Sequence, residues 1–184
     1  VPHLIPCCLL LAIVAVWGWT FSLMKEPVET YGVVSFLAVR FTIAAAAMGA
    51  AFHRRFTWRT VRVGAGIGLV LAASYLLQTF GLRHTSATNT GLITGLFVIF
   101  VPLVNGLLFG VRTSPLLWGA IGVSLLGLVL LTGTGPTPLA FGDFLVLLCA
   151  ASYGVHVALL DRHAKRHDAL CLAFGQVATA AVVF

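Results

Sequence analysis

GLRHTSATNTGLITGLFVIFVPLVNGLLFG, residues 81–110, decides the class of this chain. A polar link from Arg83 to Asn89 leads into a run from Thr90 to Gly110 that carries no charged residue. At ~1.5 Å per residue, a helix of that length crosses the ~30 Å hydrocarbon core of a bilayer. The stretch also holds Asn89, Thr94 and Asn105, glycines at 91, 95, 106 and 110, and Pro102 in mid-span. A helix that serves only as an anchor needs none of these. Pro102 has no backbone N–H to offer the Val98 carbonyl, so neighbouring helices, polar side chains or water must satisfy that oxygen.

Composition agrees with a membrane class. Hydrophobic residues make up 60% of the 184, and charged residues only 9%. The mean hydropathy is +1.05. A water-soluble domain of this size needs far more polar side chains to cover its surface. The alternating ten-residue segments of an outer-membrane barrel are absent, which leaves a polytopic α-helical bundle. The net charge of +6 does not indicate a nucleic-acid partner, because the basic residues fall in short links between apolar spans. Cys7, Cys8, Cys149 and Cys171 form no CxxC or Cys/His metal spacing and read as small buried apolar residues. No cofactor or metal is expected. The chain begins at Val1 and ends at Phe184 inside an apolar run, the pattern of a piece of a longer protein. The first run lacks a basic n-region and further spans follow it, so it is not a cleaved signal peptide.

Seven apolar spans are expected, at 6–24, 32–52, 62–82, 88–110, 115–133, 142–160 and 169–184. Their short connections predict antiparallel packing of sequential helices. Arg54, Arg55, Arg59, Arg62, Arg112, Arg162, Lys165 and Arg166 all fall on one side, eight of the eleven basic residues. The opposite side holds only Lys25 and Arg83. The positive-inside rule then puts the N-terminus in the cytoplasm.

Polar residues within spans point to the site. Trp17 lies deep for an interfacial residue, whereas Lys25 can snorkel to the surface. Arg40, inside the second span, costs ~2.5–3.5 kcal/mol at a helix centre on insertion scales. Such a residue lines a pathway, or else pairs with loop carbonyls or with Glu26 and Glu29. Tyr75, Gln78 and Thr79 share one face of the third span, as interhelical glue or as a cavity lining. The Gly64-Ala-Gly-Ile-Gly68 run lacks a preceding strand and a Lys-Ser/Thr, so it reads as close helix contact and not as a phosphate loop. Asn89 is expected to cap the fourth span and Asp143 the start of the sixth, while Pro115 fits the first turn of the fifth. Tyr153 and His156 share a face, where the histidine is a hydrogen-bonding packing residue or a proton carrier.

A shift of 136 places the first two spans over the sixth and seventh without a gap. Trp17-Gly18 then falls on Tyr153-Gly154, Arg40 on Gln176, and Ala44-Ala45 on Ala180-Ala181. Equivalent spans are five apart in order, an odd number, so the second copy enters the membrane from the other side. That is an inverted-topology repeat, and transporters built this way hold their substrate near the midplane between repeats.

The order Trp17-Gly-Trp-Thr-Phe-Ser-Leu-Met-Lys25, Arg40-Phe41, His84-Thr-Ser-Ala-Thr-Asn89, Pro102 and the Gly-rich fifth span resembles an EamA domain of the drug/metabolite transporter superfamily. Gly142-Asp143 followed by Ser152-Tyr153-Gly154 is similar to the opening of that family's second copy. The resemblance implies ten transmembrane helices in two inverted five-helix repeats, cytoplasmic termini and a central cavity. On that basis 6–133 is the first EamA repeat, and 142–184 is the truncated start of the second. Family members typically export amino acids, other metabolites or drugs, and relatives carry nucleotide sugars and phosphorylated sugars. The family often has Gly-Glu-Arg after its fourth span, whereas this chain has Gly110-Val111-Arg112, so any role of that glutamate is missing.

The expected protein is therefore an all-α exporter of small molecules in a bacterial plasma membrane, working by alternating access with a proton or other coupling ion. The expected substrate residues are Trp17, Arg40, Tyr75, Gln78, Asn105, Tyr153, His156 and Gln176. The competing classes are a membrane-embedded enzyme and a structural scaffold. An enzyme needs paired carboxylates, a nucleophile–base pair or metal ligands within the spans, and none is visible. A scaffold predicts no water-accessible path.

Overall fold

The computed structural model describes residues 4–132 and 140–184. The turn-rich link Gly133–Pro138 lies outside them. Within them the chain is almost wholly helical. Helix α1 (Leu4–Tyr31) ends at Gly32, whose φ of +81° suits only glycine well, and α2 (Val33–Phe52) follows at once. A single 3₁₀ turn, His53–Arg55, leads into α3 (Trp58–His84). The fourth span is two helices, α4 (Ala87–Gly95) and α5 (Phe97–Phe109). Helix α6 (Pro115–Thr132) starts on its proline, and Ser114 Oγ accepts the Leu117 N–H at 3.3 Å. Helices α7 (Phe141–Ala164) and α8 (Ala169–Val183) complete the chain, the latter capped by Asp168 accepting from Cys171 N at 2.9 Å.

The break in the fourth span falls at Leu96, not at Pro102. Leu96 N–H bonds to Ile93 O at 3.1 Å and Ile99 N–H to Leu96 O at 2.9 Å, a tightened turn of i→i−3 bonds. The proline ring crowds the turn before it, and the chain gives way upstream beside Gly95, a weak helix former. Capping also differs from expectation. Ser86 caps α4, accepting the Asn89 N–H at 3.0 Å, and the Asn89 side chain turns to Asp143 instead.

Five helical stretches are long and apolar enough to cross a membrane: Ile5–Tyr31, Val33–Arg55, Trp58–His84, Ala87–Phe109 and Phe141–Ala164. Helices α6 and α8 are apolar but shorter. The protein is an all-α polytopic membrane protein. The expected packing of sequential helices holds for α1–α2, α2–α3 and α3–α4, but the most extensive packing joins distant parts of the chain. Helix α3 lies against both α7 and α8, α2 packs on α8, and α5 packs on α7. Small residues allow this. A Cβ on Gly175 would come within 2.5 Å of the Val61 carbonyl, so α3 and α8 touch backbone to backbone there. Leu10, Val14, Ile43 and Leu107 point outward, while Ser74, Gln78, Thr79, Thr90, Thr94, His156 and Gln176 are buried. Lipid solvates apolar side chains as well as the core does, so small and polar residues hold the interior together.

Contacts sort the ends of the helices. At one end Lys25 Nζ donates to Thr85 O at 3.2 Å and His84 meets Phe141. At the other, Thr57 N–H donates to Cys171 Sγ at 3.3 Å, Phe56 stacks on Phe174, and Arg162 lies over Phe109. The α2–α3, α5–α6 and α7–α8 links, which with the adjoining helix ends hold the eight basic residues, lie at this second end.

Candidate functional site

Rings from α1, α3 and α5 pack around Tyr153 of α7, which is 7% exposed, and α2 and α8 join the group through Tyr75 and His156. Trp17 meets Tyr153 edge to face at 6.4 Å between ring centroids, with an interplanar angle of 90°. Tyr75 meets it at 5.8 Å and Phe97 at 6.4 Å. Phe97 also faces Trp17 at 6.4 Å, and Phe41 packs on Tyr75 at 5.0 Å. The Tyr153 hydroxyl is buried without a hydrogen-bond partner among the described residues. A buried phenol hydroxyl ordinarily has one, so this group retains donor and acceptor capacity.

Arg40 stands at the edge of the aromatic group. Its guanidinium lies 5.2 Å from the centre of the Tyr75 ring, a cation–π distance, and Nη1 is 3.1 Å from Met24 Sδ. Neither Glu26 nor Glu29 is its partner. Its outer side lines a largely apolar cavity of about 450 Å³ with Pro27, Tyr31, Ser35, Phe36 and Val39. The positive charge is therefore held by an aromatic face and a thioether, with no carboxylate neutralising it among the described residues.

Polar pairs flank the rings. His156 sits one turn along α7 from Tyr153, ring centres 6.2 Å apart, and its Nε2 is 2.6 Å from Gln176 Oε1. Since an amide oxygen accepts, His156 carries its proton on Nε2 in this bond. The Gln176 amide nitrogen donates to Leu172 O at 3.2 Å. On α3, Gln78 Nε2 donates to Thr94 Oγ1 at 3.1 Å, next to the break at Leu96. Ser74 Oγ lies 2.7 Å from Ser152 Oγ and donates to Val70 O, tying α3 to α7.

Of the residues expected from sequence, Trp17, Arg40, Tyr75, Tyr153, His156 and Gln176 form one continuous chain of contacts. Gln78 lies on α3 one turn from Tyr75 and engages Thr94. Asn105 lies apart. It lines a cavity of about 310 Å³ at the basic end with Phe109, Asp161, Arg162, Lys165 and Arg166. Phe97, Phe41 and Met24 were not anticipated, and an apolar residue on an apolar helix gives no sign of which side it faces.

Asp143 makes a second polar centre, 5% exposed, at the end opposite the basic links. Its Oδ2 accepts from Ala140 N at 2.9 Å, the helix-start role expected of it. Its Oδ1 also accepts from Thr85 Oγ1 at 2.6 Å and Asn89 Nδ2 at 3.3 Å, which fastens the α3–α4 link to α7.

A family model described as the EamA-like transporter family matches residues 4–133. The chain is also 30% identical, over 169 residues, to a protein of Archaeoglobus fulgidus described as an uncharacterized transporter. That alignment covers 90% of this chain and 52% of the relative, so the chain spans about half the length of the curated protein it matches. No solved structure gives a significant match.

Proposed function

The chain belongs to the EamA-like transporter family, and on that premise we propose that it forms part of an alternating-access exporter of small amphipathic metabolites, amino acids or drugs. The observation that carries this reading is the packing of rings from α1, α3 and α5 around the buried Tyr153, with a cationic Arg40 over the Tyr75 ring. Trp17, Tyr75 and Phe97 offer ring faces to an apolar body, Tyr153 and Gln78 orient polar groups, and Arg40 draws an anionic one. The His156–Gln176 pair holds α7 and α8 in register behind the rings. Such a site binds by shape and a few fixed polar groups, as small-molecule sites do.

The repeat supports the same reading. Trp17 and Tyr153, equivalent under the shift of 136, face each other across the group, as residues beside a pseudo-two-fold axis do. In this reading residues 6–133 are one repeat, 142–184 open the second, and the α3–α7 and α5–α7 contacts are where one repeat rocks on the other. The basic end faces the cytoplasm, and the N-terminus with it, in a bacterial inner membrane.

The test is export from cells expressing the protein, challenged with a panel of amino acids and cationic and anionic dyes, at matched membrane abundance. Arg40→Gln and Gln78→Leu each lower export of at least one solute. Unchanged transport by both overturns the site. Cysteines placed at Tyr75 and Gln78 in a cysteine-free background react with a water-soluble maleimide if the site is hydrated. Complete protection points to a scaffold instead.

A further inference from the structure

The basic end carries a feature that transport through the Tyr153 site does not use. A groove of about 700 Å³ opens between the start of α3 and the α7–α8 link, lined by Thr57, Arg59, Thr60, Val63, His163, Arg166 and His167. Arg59 and Arg166 are exposed and come from elements over a hundred residues apart in sequence. The wall between them is ordered. Thr60, 6% exposed, places its hydroxyl 3.1 Å from His167 Nδ1, and His167 stacks on His163 with ring centres 6.3 Å apart. The His163 Nδ1–H is spent on Leu159 O at 2.8 Å, which fixes that ring as well.

Charge at this end is unbalanced. Its two carboxylates are Asp161 and Asp168, against eight lysines and arginines. Asp168 is committed to the α8 cap, and Asp161 lines the neighbouring cavity instead of the groove. Orienting loops by positive charge requires only that the charge be present. It does not require two arginines from distant segments to line the same groove.

We propose that this groove binds the phosphate of an anionic phospholipid. Basic pockets between transmembrane helices at a membrane surface are suited to such headgroups. The arginines supply fork-shaped donors for phosphate oxygens, and the Thr57 hydroxyl adds another. Two observations favour a lipid over free phosphate. Val63 gives the groove an apolar lining residue on α3, and Trp58, next to Arg59 in the chain, is 74% exposed, as an interfacial indole is. A ligand with an anionic head and an acyl tail fits both parts.

The experiment is native mass spectrometry of the detergent-solubilised chain, titrated with phosphatidylglycerol, phosphatidylcholine or inorganic phosphate. Phosphatidylglycerol is expected to stay bound in preference to phosphatidylcholine. Arg59→Gln and Arg166→Gln are each expected to weaken retention about five-fold, and together roughly thirty-fold. Arg83→Gln, at the opposite end, leaves it unchanged. The pair Arg59→Lys and Arg166→Lys keeps the charge but loses the fork, and retains phosphatidylglycerol better than the double glutamine variant and less well than the parent, which separates loss of the site from loss of the fold. Equal retention of the two lipids, or full retention by the double glutamine variant, overturns the proposal. Displacement of phosphatidylglycerol by millimolar inorganic phosphate overturns the lipid in favour of a free anion.

Discussion

Gly18 and Gly154 occupy equivalent places under the shift of 136, yet their surroundings make opposite demands. A Cβ on Gly154 would sit 3.0 Å from the Phe100 carbonyl carbon and 3.3 Å from its Cα, and closer still to its Cβ. All three are atoms of α5 that cannot swing aside, so Gly154→Ala forces α5 away from α7 by about 1 Å. Overpacking of this kind costs ~1–3 kcal/mol. A Cβ on Gly18 meets no atom within 4 Å beyond its own stretch of helix among the described residues, so Gly18→Ala has room. Both substitutions gain ~1 kcal/mol of helix propensity, which cancels in the comparison. Gly18→Ala should therefore unfold above Gly154→Ala by ~1–3 kcal/mol, or about 2–12 °C in Tm for a chain of this length. The fully buried Cys149 and Cys171 provide the readout. With the exposed Cys7 and Cys8 blocked, a thiol-reactive dye reports their exposure during a thermal ramp in detergent. Equal midpoints, or a lower one for Gly18→Ala, would refute the close α5–α7 contact.

The His156–Gln176 bond should behave as a buried pair. Gln176→Leu strands the histidine N–H and lowers stability by ~1–3 kcal/mol, and adding His156→Leu recovers part of the loss, as a double-mutant cycle in detergent will measure. Asp143→Ala removes the acceptor shared by Ala140 N, Thr85 and Asn89, and should cost ~1–3 kcal/mol. Hydrogen exchange should quicken at 85–90 more than at the basic end, and uniform protection would count against the Asp143 fastening. Phe97→Ala opens the group between Trp17 and Tyr153 and should cost ~3 kcal/mol or more if the ring is packed as described. A loss below ~1 kcal/mol would place that ring against lipid.

What could be read in advance, and what could not, follows from the solvent. In water, helix faces show as alternation between apolar and polar residues. In lipid both faces are apolar, so the period fades and only polar residues betray direction. The spans were legible as uninterrupted apolar runs, and Tyr75, Gln78, His156 and Gln176 stood out as polarity that lipid does not tolerate cheaply. Phe97 carried no such mark, though it touches both Trp17 and Tyr153. Asn105 shows the converse. It is polar within a span, but it sits one turn from the end of α5 and lines a cavity with Asp161 and Arg162, apart from the aromatic group. Depth along the helix, and not polarity alone, separates the two cases. Asn89 was lost for another reason. Ser86 and Asn89 are both good helix starters, and the choice was made by Asp143, whose carboxylate takes the Asn89 amide across 54 positions of sequence. Local patterns decide where a membrane helix lies. Which of its polar groups come together is decided by partners from the other end of the chain, and here those partners belong mainly to α7 and α8.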